Sequence, residues 1–199
     1  MPNPGPIAIL PARGGSKRIP RKNIADLCGR PLLSYPIKIC LGSGLFSDVI
    51  VSTDDDEIAQ VARDFGATAD MRPDALAGDT IPAKQVCAEL LRRRFDPDSL
   101  PEAFCLVYPM AAFILPEDLI ESVAMLVGQD VVLGVSHYPM HPYKALIEKD
   151  GHLQALWPEQ NQQQSQTYPD AVAANGSFSW VRTASFLENP NFYPPRLTG

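Results

Sequence analysis

Long apolar runs are missing from this chain. No stretch of its 199 residues approaches the roughly 20 consecutive apolar side chains that a bilayer-spanning helix needs. Its four cysteines, Cys28, Cys40, Cys87 and Cys105, never fall at C-x-x-C spacing, which argues against a zinc ribbon or a dithiol redox motif. The N-terminus lacks the charged, then apolar, then small-residue succession of a secretory signal. Free thiols in a reducing cytosol follow from this, so the expectation is a soluble, cytoplasmic protein without membrane contact. Histidine is scarce: His137 and His141 stand four apart, but Pro139 and Pro142 exclude the helix that would align them on one metal. Two phosphate signatures are also absent, the P-loop G-x-x-x-x-G-K-S/T and the dinucleotide G-x-G-x-x-G.

Acid is absent too, but only at the start. The chain carries a formal net charge of -6, yet no Asp or Glu precedes Asp26, and the stretch "ILPARGGSKRIPRKN" holds Arg13, Lys17, Arg18, Arg21 and Lys22. An acidic protein is repelled by nucleic acid and by anionic membranes, so any anion it binds is captured locally. The apolar run Ile7 to Leu10 stops at Pro11 and the pair Gly14-Gly15, as a buried strand does when it empties into a loop. Glycines there let backbone N–H groups approach phosphate oxygens, while the cations neutralise the charge. A triphosphate carries about four negative charges, a fair match for five cations. The competing reading is a solvated basic loop. Nucleic-acid binding conflicts with the net charge and with the lack of any aromatic residue inside the loop.

Downstream, strand-like and helix-like segments alternate. Leu32 to Leu41 has helical spacing, with Pro36 expected to kink or delay the helix. "DVIVST" (Asp48 to Thr53) reads as a strand, and "DDEIAQVARDFGA" (Asp55 to Ala67) as a helix ended by Gly66. Helix-like Ala83 to Phe95 precedes the strand "AFCLVYP", and helix-like Pro116 to Val127 precedes the strand "DVVLGVS". This order predicts an α/β fold: a doubly wound, mostly parallel sheet covered on both faces, with ligands beyond the carboxyl ends of the strands. One domain over 1–199 is expected. Within it, 137–175 forms an insertion in which "KALIEKDGHLQALW" reads as a hairpin turning at Asp150-Gly151, followed by a polar loop, and which serves as a lid or a subunit contact. The closing "ENPNFYPPRLTG" is Pro-rich and reads as irregular, without a final helix or strand.

The acids Asp54, Asp55, Asp56 and Glu57 at a strand's end invite a metal reading. Helix capping and attraction to the helix dipole explain them equally, and more simply. In "MRPDALAGDT", Asp79 or Thr80 reads as a helix N-cap.

"PARGGSKRIPRKNIADLCGRPLLSY", "SGLFSDVIVSTDDDEIAQVARDFGA" and "RPDALAGDT" together resemble the acylneuraminate cytidylyltransferases, enzymes that make CMP-activated nonulosonic acids. The resemblance covers nearly the whole chain. "GGSKRIPRKN", "GLFSDVIVSTDD", the Trp157-Pro158-Glu159 triplet and Ser165-Gln166 look most like the pseudaminic acid members. It implies attack by a sugar acid's anomeric hydroxyl on the α-phosphate of CTP, release of pyrophosphate, Mg²⁺ as cofactor and a homodimer. Gly14, Gly15, Ser16, Lys17 and Asn23 would hold the triphosphate, Arg13 and Lys22 would also stabilise the reaction, and Arg72 would select cytosine with Asp79 and Thr80 beside it. Gln166 and Asn175 would face the sugar. The metal ligands are unassigned, because the family's Asp-x-Asp and final helix would follow Gly199. The chain departs from the family pattern in its loops. Tyr108-Pro109-Met110-Ala111-Ala112 replaces a Pro-Thr-Ala/Ser-Pro turn, Gln164 stands where the pseudaminic type has arginine, Thr167-Tyr168 replace Asp-Leu, and Ala173-Ala174-Asn175-Gly176 replaces His-Asp-Ala-Gly. A nucleotide-binding or scaffold domain without turnover is the alternative that these departures raise.

Overall fold

Five consecutive residues with no charge, Ile7–Pro11 (β1), are buried along almost their whole length, as a central parallel strand covered on both faces must be. The computed structural model describes residues 4–16, 19–78 and 80–199. After β1 come a short ribbon, Asp26–Leu27 (β2) with Arg30–Pro31 (β3), then helix α1 (Ser34–Ser43) and strand β4 (Asp48–Thr53). Helix α2 (Asp56–Asp64), strand β5 (Thr68–Met71), helix α3 (Ala83–Arg94), strand β6 (Ala103–Val107), helix α4 (Pro116–Ala124) and strand β7 (Val131–His137) continue the alternation. A second ribbon, β8 (Leu146–Lys149) and β9 (His152–Ala155), precedes the one-turn helix α5 (Pro158–Asn161). Strand β10 (Val172–Arg182), helix α6 (Thr183–Glu188) and strand β11 (Leu197–Thr198) complete the chain.

Seven strands form one sheet in the order β11-β7-β10-β6-β1-β4-β5. β1 pairs in parallel with both β4 and β6, and β4 in parallel with β5, whereas β10 runs antiparallel beside β6. The expected α/β, mostly parallel sheet with helices on its faces is therefore what forms. The strand expectations at Asp48, Ala103 and Asp130 hold to within two residues. Pro36 does no damage because α1 starts at Ser34, so the ring falls in the first turn, where its missing N–H has no partner to lose.

Three expectations need correction. The polar tract after Trp157 contains α5 and a 3₁₀ turn at Ser165–Thr167. The C-terminal segment is irregular over 189–196 as expected, but it does end in a strand: β11 forms at Leu197–Thr198 and pairs in parallel with β7 at the sheet's edge. Arg196 secures that edge, its carbonyl accepting from the Asp130 N–H at 2.9 Å while its guanidinium grips the Asp130 carboxylate at 2.6 and 2.9 Å. Finally, α3 begins after Pro82 with no side-chain cap, so Thr80 is not its N-cap; Asp79 lies outside the described residues.

The chain packs as two compact units, 1–134 with 176–199, and 135–175. In the smaller unit β8 and β9 pair antiparallel, and Asp150 and Gly151 take positive φ of 52° and 77°. This is the left-handed pair that a two-residue hairpin turn requires, and it agrees with the Asp-Gly signal. Tyr143, Tyr168, His141 and Trp157 form its aromatic cluster, with ring centroids 4.7–5.9 Å apart.

In the larger unit the core closes around Trp180 of β10, fully buried and stacked on Phe46 with centroids 5.2 Å apart. Trp180 and Phe178 reach the same core cluster as β1 and β4. Deleting so large a buried ring leaves a cavity as well as lost transfer energy, so Trp180→Ala is expected to cost about 3–5 kcal/mol. Urea denaturation of the two proteins measures the difference; a loss under about 1 kcal/mol would remove Trp180 from the core argument.

Candidate functional site

Parallel pairing sets the geometry of the site. β1 and β4 run side by side with Pro11 opposite Ser52, and the Ala12 N–H extends the ladder by donating to the Ser52 carbonyl at 2.8 Å. The loop leaving β1 therefore lies against the turn leaving β4. The Gly14 N–H donates to Asp54 Oδ1 at 2.9 Å. A Cβ on Gly14 would stand 2.5 Å from Asp55 Oδ2, so only glycine fits there. Asp55 itself caps α2, accepting from the Glu57 and Ile58 N–H groups at 3.0 Å each.

On its return the loop meets the same acids. Arg21 takes the left-handed conformation, φ 54°, and its guanidinium forks onto Asp55 and Glu57. Hydrogen bonding from Arg21 holds the Asp55 carboxyl below the usual carboxylate range, against the opposing effect of its partial burial. Two residues on, buried Asn23 donates from Nδ2 to the Arg13 carbonyl at 2.8 Å and accepts the Leu33 N–H on its own carbonyl, also at 2.8 Å. The capping reading of the acid run is thus the one that forms. Among the described residues no group of three or more His, Cys, Asp or Glu is placed to hold a metal ion. Asp54 and Asp55 are engaged by Gly14, the α2 N-terminus and Arg21, so the described residues do not fit a protein cage for Mg²⁺.

Arg13, Ser16, Lys22 and Asn23 line one cleft with Arg72, beyond the carboxyl ends of β1, β5 and β6. Arg72 is only 9% exposed. Its guanidinium donates to the carbonyls of Ser52 and Leu76, and its backbone N–H donates to the Thr53 carbonyl at 2.8 Å, yet Nε is buried with no partner among the described residues. Burial lowers the Arg72 pKa, with Asp54 opposing the shift. Directly behind it the Cys87 thiol is fully buried and pushed up to about 12, an inert packing group.

Sequence reasoning did not place Ile81, Ala83 and Val86 in the site, and it marked the Tyr108 turn only as a departure from the family pattern. Ile81, Ala83 and Val86 of the α3 entry, together with Tyr108, Pro109 and Met110 after β6, complete the cleft. Burial raises the Tyr108 pKa, keeping the phenol protonated. The signal was present, since residues just past a strand's carboxyl end beside β1 are where a doubly wound sheet gathers its ligand contacts.

The other expected residues are placed as follows. Gly14 spends its N–H on Asp54 and so does not offer it to a phosphate. Gly15 and Thr80 are exposed and lie outside the cleft wall, while Lys17 lies outside the described residues. In the smaller unit Gln166 is exposed and donates to Gln164 Oε1 at 3.2 Å, and Asn175 donates to the Val135 carbonyl at 3.3 Å.

Comparison with known proteins gives this cleft a context. The family profile described as Cytidylyltransferase matches residues 7–98, which hold most of the cleft. The CMP-N,N'-diacetyllegionaminic acid synthase of Legionella pneumophila is 32% identical over 193 residues, covering 94% of this chain and 82% of that protein. The chain belongs to the acylneuraminate cytidylyltransferase family. A pseudaminic acid cytidylyltransferase of Campylobacter jejuni is 40% identical over 116 residues, 58% of this chain and 50% of that protein. The chain thus spans about half the length of the Campylobacter relative it matches. A CMP:2-keto-3-deoxy-manno-octonic acid synthetase solved with CTP superposes with a TM-score of 0.72, covering 93% of this chain and 76% of that one. At 18% identity the superposition speaks for the fold.

The Arg21–Asp55 pair has a pH signature. A carboxyl whose folded pKa is depressed adds stability that is fully present above its unfolded value of about 3.9 and is lost as pH falls through the lower folded value. Arg21 is 42% exposed, which limits the pair to about 0.2–1 kcal/mol, at most about 2–4 °C in Tm. Wild type is expected to melt above Arg21→Gln by a constant margin above about pH 4, and by a shrinking margin below it. A margin that widens on acidification would contradict the assignment.

Proposed function

We propose that this family member is an active cytidylyltransferase that joins CTP to a nonulosonic acid, pseudaminic acid being our first choice, and releases pyrophosphate. The observation that carries the reading is the convergence of Arg13, Ser16, Lys22 and Asn23 from the basic loop with buried Arg72 on one cleft wall. In the proposed reaction Arg13 and Lys22 face the triphosphate and oppose the charge that develops as the anomeric oxygen attacks the α-phosphate and pyrophosphate departs. Fixed cations at a half-buried site stabilise such charge without the reorganisation that water would need. Ser16 adds a hydroxyl donor. Asn23 holds the loop through the Arg13 carbonyl, and so orients Arg13 more than it contacts phosphate.

Arg72 in this reading recognises the base. Support for this selection is the place of Arg72 on a cleft wall whose other members, Ile81, Val86 and Met110, are apolar enough to pack a flat ring. Lys17, Asp79 and Thr80 keep their expected places only as part of the family resemblance, as do Gln166 and Asn175 toward the sugar.

Mg²⁺ belongs to the proposal as the counter-ion of CTP, and no step is routed through it. A homodimer and a cytoplasmic site of action complete the proposal. For the dimer, support comes from the β8–β9 ribbon, which exposes Leu146, Ile147 and Leu153 and, as a two-stranded hairpin, is marginal without a partner. Sedimentation would detect it.

Purified protein mixed with CTP, Mg²⁺ and a panel of pseudaminic, legionaminic and N-acetylneuraminic acids is expected to release pyrophosphate with at least one of them. Arg13→Ala is expected to lower kcat by about 10²–10³, the loss typical of one preorganised charge-stabilising donor. Silence across the panel, with CTP still raising Tm, would leave the non-catalytic nucleotide-binding reading in its place. Unchanged turnover of the variant would take Arg13 out of the chemistry.

A further inference from the structure

The described cations of the basic loop, Arg13, Arg21 and Lys22, do not act alike. Arg21 sits at the loop's return limb in a left-handed conformation that is unfavourable for a non-glycine residue, and the acids of the turn after β4 hold it there. Asp55 does three things with one carboxylate: it caps α2 through two N–H groups, receives both Nη atoms of Arg21, and fills the space left open by the absent Gly14 side chain. Asp54 holds the outgoing limb through the Gly14 N–H.

We propose that Asp54 and Asp55 are positioning residues that clamp both limbs of the basic loop to the N-terminus of α2, and so aim Arg13, Ser16 and Lys22 into the cleft. Arg21 is then the loop's fastener, and its charge is spent on Asp55 and Glu57 instead of on a substrate. A positively charged loop would otherwise spread by self-repulsion, and the paired acids remove one cation's worth of that repulsion at the mouth while tying its two ends. The consequence for the cleft rests on the nucleotide-binding reading above; the clamp does not.

Asp55→Asn is the informative variant, because asparagine remains a good helix cap but loses the charge that holds Arg21. Arg21→Gln approaches from the other side and leaves the cap untouched. Amide hydrogen exchange of the intact chain without nucleotide is expected to show lost protection at 13–23 in either variant, with β1, β4 and β6 unchanged. Wild-type protection at 13–23 in both would overturn the clamp. With CTP and an accepted sugar acid, kcat is expected to fall about tenfold to a hundredfold, the scale of a misplaced catalytic group, with the double variant no worse than either single one. Additive losses, or losses that track Tm alone, would also overturn it. If wild type neither binds nor turns over CTP, the nucleotide reading fails, and the exchange result still decides the clamp.

Discussion

The pairing of β1 with β4 is the constraint on which the rest of this molecule depends. Because the ladder runs one residue past β1, from Ala12 to Ser52, two strand-end segments of opposite charge emerge at the same level of the sheet. One carries cations without a single acid, and the other is three aspartates and a glutamate. A slip of register would separate Gly14 from Asp54 and Arg21 from Asp55, and it would also turn the buried side chains of both strands toward the wrong layers. Packing of the core and assembly of the cleft are in this way enforced by the same hydrogen bonds.

Electrostatics within the larger unit is strongly local. The protein as a whole carries excess negative charge, yet the cleft gathers Arg13, Lys22 and Arg72 on its walls. Arg72 is the most constrained of them: desolvation works against its charge, two backbone carbonyls compensate in part, and one nitrogen is left over. Groups of this kind are stable only where the surrounding fold over-determines them, here through Thr53 on one side and the packed Cys87 on the other.

Much of this was legible in the sequence, for identifiable reasons. The parallel core strands are continuous apolar runs bounded by punctuation, and Asp150-Gly151 announces its turn through backbone conformations few other pairs tolerate. The basic loop was legible because charge segregation that sharp is hard to explain by solvation alone. What escaped was carried by partners distant in sequence. β10 has Gly176 in its path and serines at 177 and 179 on either side of Phe178, so its pattern is weak until β6 and β7 flank it. β11 is two residues long and exists through Arg196 and Asp130, 66 positions apart. Tyr108 and Met110 become cleft residues only because β6 lies next to β1. The capping of Asp55 was readable from spacing, whereas its hold on Arg21 lies in tertiary contact.

The smaller unit takes in the end of β7 and the start of β10, and its two ends are stitched by the Asn175 amide on the Val135 carbonyl. A detour that starts and finishes at neighbouring points places no demand on the spacing of the strands it interrupts. Its length and side chains are consequently free to change without disturbing the packing of the larger unit. In evolutionary terms the excursion is a graft point, at which a lineage could lengthen or replace the insertion without refolding the scaffold.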